Sequence, residues 1–269
     1  MKLCILGNSH VAMLMLADRA APSDDLALTF FAKPAGGPEG ARIDGTTLIA
    51  EDPELQERLD AIGTPQRLDL MDFDAVVLVG EVISAFSAIA LLRRHFVTGW
   101  PSAASHIAAQ ATPLSAPNKR ALLSPAAFHA ALVAANHAKL SHRLALEIRA
   151  ACPLPLMLVP QPYPAARMLQ DKAKYPVFRR VHQAGDGPHL AAALTRAQAE
   201  SFVGIENLHL IAQPDETIAK HFFTRDDFSR GAMRLSLNQA LPEDDVLHAG
   251  PDYGRLILDR MVAAVTDLV

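Results

Sequence analysis

Short apolar runs alternate along the chain with stretches in which apolar positions recur every three or four residues, a pattern that predicts strands and helices in turn. Five runs have the composition of strands buried on both faces of a parallel sheet: Leu3 to Leu6, Leu26 to Ala32, Ala75 to Val79, Leu156 to Val159 and Leu208 to Ala212. Helices are predicted to start between them near His10, Ser84, Ser124 and Pro188, with a last one from Pro251 to Leu268. The clearest start is Ser124-Pro125, a capping residue followed by proline at the first helical position. Phe128, Leu132, Leu140, Leu144 and Ile148 follow at spacings of four or a multiple of it, which predicts one continuous, slowly drifting helical face. Asp44-Gly45, within Arg42 to Ala50, predicts a small hairpin after the second strand.

Alternating βα units imply parallel strands joined by right-handed crossovers. The expected fold is therefore α/β, a three-layer α/β/α sandwich around a mostly parallel, flavodoxin-like sheet of five strands, with ligands at the carboxyl ends of the strands. A length of 269 residues and 50% hydrophobic content suffice for one large core. A single domain over 1–269 is expected, with a helical insertion at about 101–151.

Charge and composition narrow the partners. Lys and Arg number 25 against 29 Asp and Glu, so the formal charge of -4 leaves no basic surplus for a run of phosphates, and no nucleic-acid partner is expected. The apolar run after Lys2 is cut short by Gly7-Asn8-Ser9-His10, and Val82 to Leu92 ends in Arg93-Arg94-His95. Neither a secretion signal nor a membrane span is read, and the expected location is cytoplasmic. The two cysteines, Cys4 and Cys152, are expected as buried thiols. His129, His137 and His142 are spaced by eight and five, which gives no two-ligand helical face, so no metal is expected. Gly36, Gly37 and Gly40 lack nucleotide-binding spacing, and no cofactor is expected.

Two sites carry candidate chemistry. Ser9 falls where the first strand hands over to the first helix, either as a helix cap or as a hydroxyl projecting from the carboxyl edge of the sheet. Asp245 and His248, three residues apart before the last helix, read either as an exposed acidic loop or as a carboxylate orienting an imidazole. A serine hydroxyl needs a base to take its proton, and that base needs a carboxylate to hold its tautomer and stabilise its charged form. Arg225 and Arg230, in the loop Thr224 to Gly231, read as a solvated charge run or as contacts to an anionic substrate group. Trp100 is expected to plug the insertion onto the sheet.

Gly7-Asn8-Ser9 near the start and Asp245-Val246-Leu247-His248 near the end resemble the first and last blocks of the SGNH or GDSL-type hydrolases. The stretch His248-Ala249-Gly250-Pro251-Asp252-Tyr253-Gly254 is similar to the His-x-Asn-x-x-Tyr-Gly ending of some bacterial members, with Gly250 in place of the Asn. The resemblance implies Ser9 as nucleophile, His248 as general base and Asp245 as its partner. It also implies oxyanion donors from the Ser9 amide and a glycine after strand two, here Gly37. The third donor of the family is an Asn in a Gly-x-Asn-Asp loop, but this chain reads Gly80-Glu81-Val82 there. Asn8 either substitutes for that donor or ties down the turn beneath Ser9.

The function so implied is hydrolysis of a short-chain or acetyl ester, free or on a saccharide, through an acyl-enzyme. The alternatives are an O-acyltransferase acting on a saccharide, a catalytically inactive member binding a glycan or protein, and a Rossmann-like nucleotide binder.

Overall fold

A computed structural model describes residues 1–110, 120–171 and 173–267. The five strands predicted from the apolar runs form one sheet, numbered here β1 (Lys2–Gly7), β2 (Ala27–Ala32), β3 (Ala75–Val79), β4 (Leu156–Val159) and β5 (Leu208–Leu210). Their order is β5-β4-β3-β1-β2 and every pairing is parallel, which is the flavodoxin-like order. β3 is buried along its whole length, as expected of a continuous apolar run covered on both faces.

The nine helices described are α1 (Ala12–Ala20), α2 (Pro53–Ile62), α3 (Ala85–Leu92), α4 (Pro101–Gln110), α5 (Pro125–His137), α6 (Leu140–Ala151), α7 (Pro176–Ala184), α8 (Gly187–Ser201) and α9 (Pro251–Thr266). Leu268, the expected end of the last helix, lies outside the described residues. Alternate side chains of each strand enter opposite cores. Leu3, Ile5, Val77 and Val79 pack with α1 and α9, whereas Cys4, Leu6, Val76 and Leu78 pack with α2 and α6. A third cluster joins α3, α5, α7 and α8 around Trp100 and Phe128. Trp100 therefore packs against Phe128 and His189 within a helical cluster and not onto the sheet. Cys4 and Cys152 are buried free thiols, and burial, then the neighbouring Cys152, pushes Cys4 up to about 12.

The predicted hairpin forms from Ala41–Asp44 and Thr47–Ala50, with Arg67–Asp69 added as a third antiparallel strand. The continuous helical face predicted from Phe128 to Ile148 is instead divided between α5 and α6, with Lys139 in an extended conformation. Side chains bound to the loop after β3 account for the break. The buried Asn136 accepts from the Ile83 N–H at 2.8 Å, and Ser141 Oγ donates to the Gly80 carbonyl at 2.8 Å. A straight helix would not bring both residues to that loop. Of the segment 101–151, residues 111–119 lie outside the described residues; the rest contains α4, a short strand Ala121–Leu123, α5 and α6. Here α6 covers the sheet itself, through Leu144, Ala145 and Ile148.

The two ends of the chain meet where α1 and α9 pack, the most extensive helix pair among the described residues. The approach is backbone to backbone at Gly254, where a Cβ would stand 2.0 Å from the Met13 carbonyl oxygen. In an exposed helix, Gly→Ala gains about 1 kcal/mol. Here the added methyl must separate two helices, and such overpacking costs roughly 1–3 kcal/mol. Gly254→Ala is accordingly expected to lower the unfolding free energy, by about 2 kcal/mol, in urea denaturation; an increase would show that the helices part without cost.

Candidate active site

Gly7 ends β1 between Ala32 and Val79 of its neighbours, and no larger residue fits, because a Cβ there would lie 2.5 Å from the Val79 carbonyl oxygen. The chain then turns upward from the carboxyl edge of the sheet through a 3-10 turn, Ser9–Val11, into α1. Asn8 caps this turn, its Oδ1 accepting from the His10 N–H at 3.1 Å, while its Nδ2 donates to Glu81 Oε1 at 2.5 Å. Both ends of the Asn8 amide thus hold the turn beneath Ser9 to the loop after β3.

The last block is built by anchoring on both sides. Val246 and Ala249 are buried, in the helical cluster and the α1–α9 core respectively, which leaves His248 exposed to the site between them. Backbone bonds fix the loop: the Ala165 N–H donates to the Val246 carbonyl at 2.8 Å, and the Gly250 N–H to the Phe228 carbonyl at 2.8 Å. The Arg167 guanidinium donates to the Asp245 carbonyl and to Ser229 Oγ. Gly250 caps α9 where a Cβ would come within 1.8 Å of the Arg230 carbonyl oxygen, so the asparagine of the similar ending does not fit at this position.

Ser9, His248 and Asp245 form a hydrogen-bonded chain. Ser9 Oγ lies 3.0 Å from His248 Nε2 across 239 residues of sequence. On the far side of the ring, His248 Nδ1 lies 3.1 Å from Asp245 Oδ2 and 3.2 Å from Oδ1. Asp245 Oδ1 also accepts the N–H groups of Leu247 and His248, at 3.0 and 2.9 Å. Burial raises the Asp245 carboxyl, but the His248 ring and these two amides more than offset it and hold the carboxyl down at about 2. The side chains of His248 and Asp245 are each 16% exposed, so the pair is shielded yet reachable. Asp244 points away, 76% exposed and paired with Lys174 at 3.2 Å.

His10 lies beneath this chain of bonds. Its ring stacks on His248, with centroids 5.0 Å apart, and its Nδ1 is buried without a partner among the described residues. Burial, and then His248, hold the His10 imidazole down to about 3, against a smaller upward pull from Asp245. The ring is therefore neutral at neutral pH. His10 thus adds no positive charge beside the His248 ring.

Ser9 and His248 open on a cleft of about 430 Å³, a size suited to a small-molecule ligand. One wall is Pro34 and Ala35 of the loop after β2. Gly37, expected to face the nucleophile, instead packs against Glu81 and Leu140 in a left-handed turn and does not line the cleft. Glu81 is itself engaged with Asn8. Arg230 also lies outside the cleft, lining an adjoining pocket with Arg167, Asp226 and Asp245, and Arg225 pairs with Asp227 at 2.6 Å. The cations that do line the cleft, Arg58 and Arg234, come from α2 and from the loop before His248.

Comparisons with protein-family models, curated proteins and solved structures return no match. The residues that the sequence pattern missed are His10, Arg167, Arg58 and Arg234. Only Arg58 had a legible setting, since Asp52-Pro53 has the same cap-and-proline form as Ser124-Pro125. Among the described residues no cluster of three metal-ligating side chains is present, and no helix is long and apolar enough to cross a membrane.

The depressed His10 also makes stability depend on pH. The unfolded chain takes up a proton near the ordinary value of 6.5, whereas the folded protein resists it down to about 3, so stability present above pH 6.5 is lost as the pH falls through that window. Urea unfolding at pH 4.5 is expected to show about 2–3 kcal/mol less stability from this group than at pH 7.5. His10→Leu should lack that part of the loss; an equal loss in the variant would place the acid sensitivity elsewhere.

Proposed function

We propose that this chain is a serine-dependent ester hydrolase of the SGNH or GDSL type, working through an acyl-enzyme. The observation that carries this reading is the Ser9–His248–Asp245 chain of hydrogen bonds at the carboxyl edge of the sheet, facing a cleft. Ser9 Oγ attacks the ester carbonyl carbon while His248 Nε2 takes the hydroxyl proton. Asp245 fixes the tautomer of the neutral imidazole and stabilises the imidazolium that forms. Collapse of the tetrahedral intermediate breaks the bond to the alcohol oxygen, which leaves with the proton held by His248. Water then attacks the acyl-Ser9 ester, His248 again taking and returning a proton, and the acid is released.

The developing oxyanion is met by the Ser9 N–H, among the donors that the start of a helical turn leaves unsatisfied. We assign the second donor to Ala35, which lines the cleft with Ser9 and whose neighbour Pro34 has no N–H to give. This assignment replaces Gly37. An acceptor hydroxyl in place of water would make the same chemistry an O-acyl transfer, with a saccharide as one such acceptor.

A fluorophosphonate probe is expected to label the protein at Ser9, and Ser9→Ala should abolish both labelling and turnover of p-nitrophenyl acetate. Asp245→Asn should cost about three to four orders of magnitude in kcat, since the wrong histidine tautomer is then favoured. Asp244→Asn, which loses only an exposed ion pair, should stay within about twofold of the wild type. Full turnover in Ser9→Ala, or equal losses for the two aspartates, would overturn the assignment.

A further inference from the structure

The walls of the cleft carry charge of one sign only. Arg58, Ala61 and Ile62 form one side, at the i, i+3 and i+4 positions of a single α2 face. Arg234, Leu235, Ser236 and Leu241 form another. No carboxylate lines the cleft among the described residues, although the chain as a whole has a net charge of -4.

Several arginines elsewhere are committed to partners: Arg42 to Glu51, Arg143 to Glu147, Arg167 to Asp226 and Ser229, and Arg225 to Asp227. Arg58 and Arg234 have neither a hydrogen bond nor an ion pair through their guanidinium groups to any described residue. Their backbones are nevertheless fixed. Arg58 lies between the buried Leu55 and Leu59 of α2. Arg234 heads a tight turn, its N–H donating to the Gln239 carbonyl at 2.9 Å and its carbonyl accepting from the Leu237 N–H at 2.8 Å, with Leu235 and Leu237 buried just after it.

We infer that the substrate is an anionic ester, with a carboxylate or phosphate group held at the mouth of the cleft by Arg58 and Arg234 while its apolar part lies against Ala61, Ile62, Leu235 and Leu241. The inference rests on the hydrolase reading of Ser9 and deepens it. A planar guanidinium matches either oxygen group through paired N–H donors. With no carboxylate on the walls to neutralise them, the two charges also draw anions in from solution.

Selectivity is measured as the ratio of kcat/KM for charged and neutral esters. On the alcohol side, 4-acetoxybenzoate and 4-acetoxyphenyl phosphate are compared with phenyl acetate; on the acyl side, mono-p-nitrophenyl glutarate is compared with p-nitrophenyl butyrate. In at least one series the charged ester is expected to be preferred about tenfold or more at low salt, and less at 0.5 M salt. In the double variant Arg58→Gln/Arg234→Gln the ratio should fall close to one, whereas Arg230→Gln should leave it unchanged. No preference in either series, a preference that survives the double variant, or one lost in Arg230→Gln would each overturn the inference.

Binding separates this outcome from failure of the hydrolase reading. If the wild type cleaves none of these esters, that reading falls. Calorimetric titration of the Ser9→Ala protein with 4-acetoxybenzoate, 4-acetoxyphenyl phosphate and mono-p-nitrophenyl glutarate then tests the anion site alone. Binding of at least one, weakened at least tenfold when Arg58→Gln/Arg234→Gln is added, supports the site; no binding, or binding unaffected by that change, overturns it.

Discussion

The contact on which the rest depends is the approach of two helix backbones, α1 and α9, at Met13 and Gly254. Its consequence is positional. Ser9 and His10 lie in the turn that leads into α1, and His248 lies two residues before the cap of α9. Docking these helices on one face of the sheet brings the two ends of the chain to one edge, with Ser9 Oγ and His248 Nε2 at 3.0 Å. A hydrogen bond between groups 239 residues apart is expensive in chain entropy if it must organise the chain by itself. Here the buried Met13, Tyr253, Ile257 and Met261 have already met that cost through apolar burial, and the polar contact follows from it.

The same economy governs the charges. Asp245 is held ionised by two backbone amides and one imidazole, so its charge is satisfied before any substrate arrives. His10 does the opposite, staying neutral because burial outweighs the attraction of Asp245. Between the anchored anion and the neutral ring stands His248, bonded to Asp245 on one side and to Ser9 on the other. Arg167 adds a backbone constraint without crowding the ring, since it donates to the Asp245 carbonyl and leaves both carboxylate oxygens to the loop amides and His248.

The parts legible in the sequence are those whose signal is local. Strand β3 is apolar at every position because both faces are covered, and that run alone locates it. Ser9, and Asp245 with His248, were legible as two short blocks, Gly7-Asn8-Ser9 and Asp245 to His248, each of them local. The division between α5 and α6 was not, since Phe128 to Ile148 keeps its apolar spacing through the break, and the cause is the tie of Asn136 and Ser141 to a loop more than fifty residues earlier. Gly37 and Arg230 were misplaced for a related reason. Each lies in a loop of suitable sequence, but which loop residue faces the cleft is decided by packing against Glu81 and Leu140 in one case and by the turn beside Asp245 in the other.

Glu81 bears most directly on how such a site would work. The proposed hydrolase reading would place an oxyanion donor in this loop, where a carboxylate facing the site would oppose negative charge; Glu81 does not line the cleft. Asn8 Nδ2 occupies Glu81, and Asn8 is in turn oriented by the His10 N–H, so the turn that presents Ser9 also ties this carboxylate in place. The missing donor is worth about 3 kcal/mol of transition-state stabilisation by analogy with donor deletions in other acyl-transfer sites. Contacts remote from the reacting carbonyl can contribute by fixing a substrate in a productive pose. Arg58 and Arg234, on the walls of the same cleft as Ser9, are the candidates for such contacts. On this reading the two cations of the cleft walls and the carboxylate held by Asn8 are complementary parts of one arrangement, in which recognition of the substrate's charge makes up for a sparse oxyanion site.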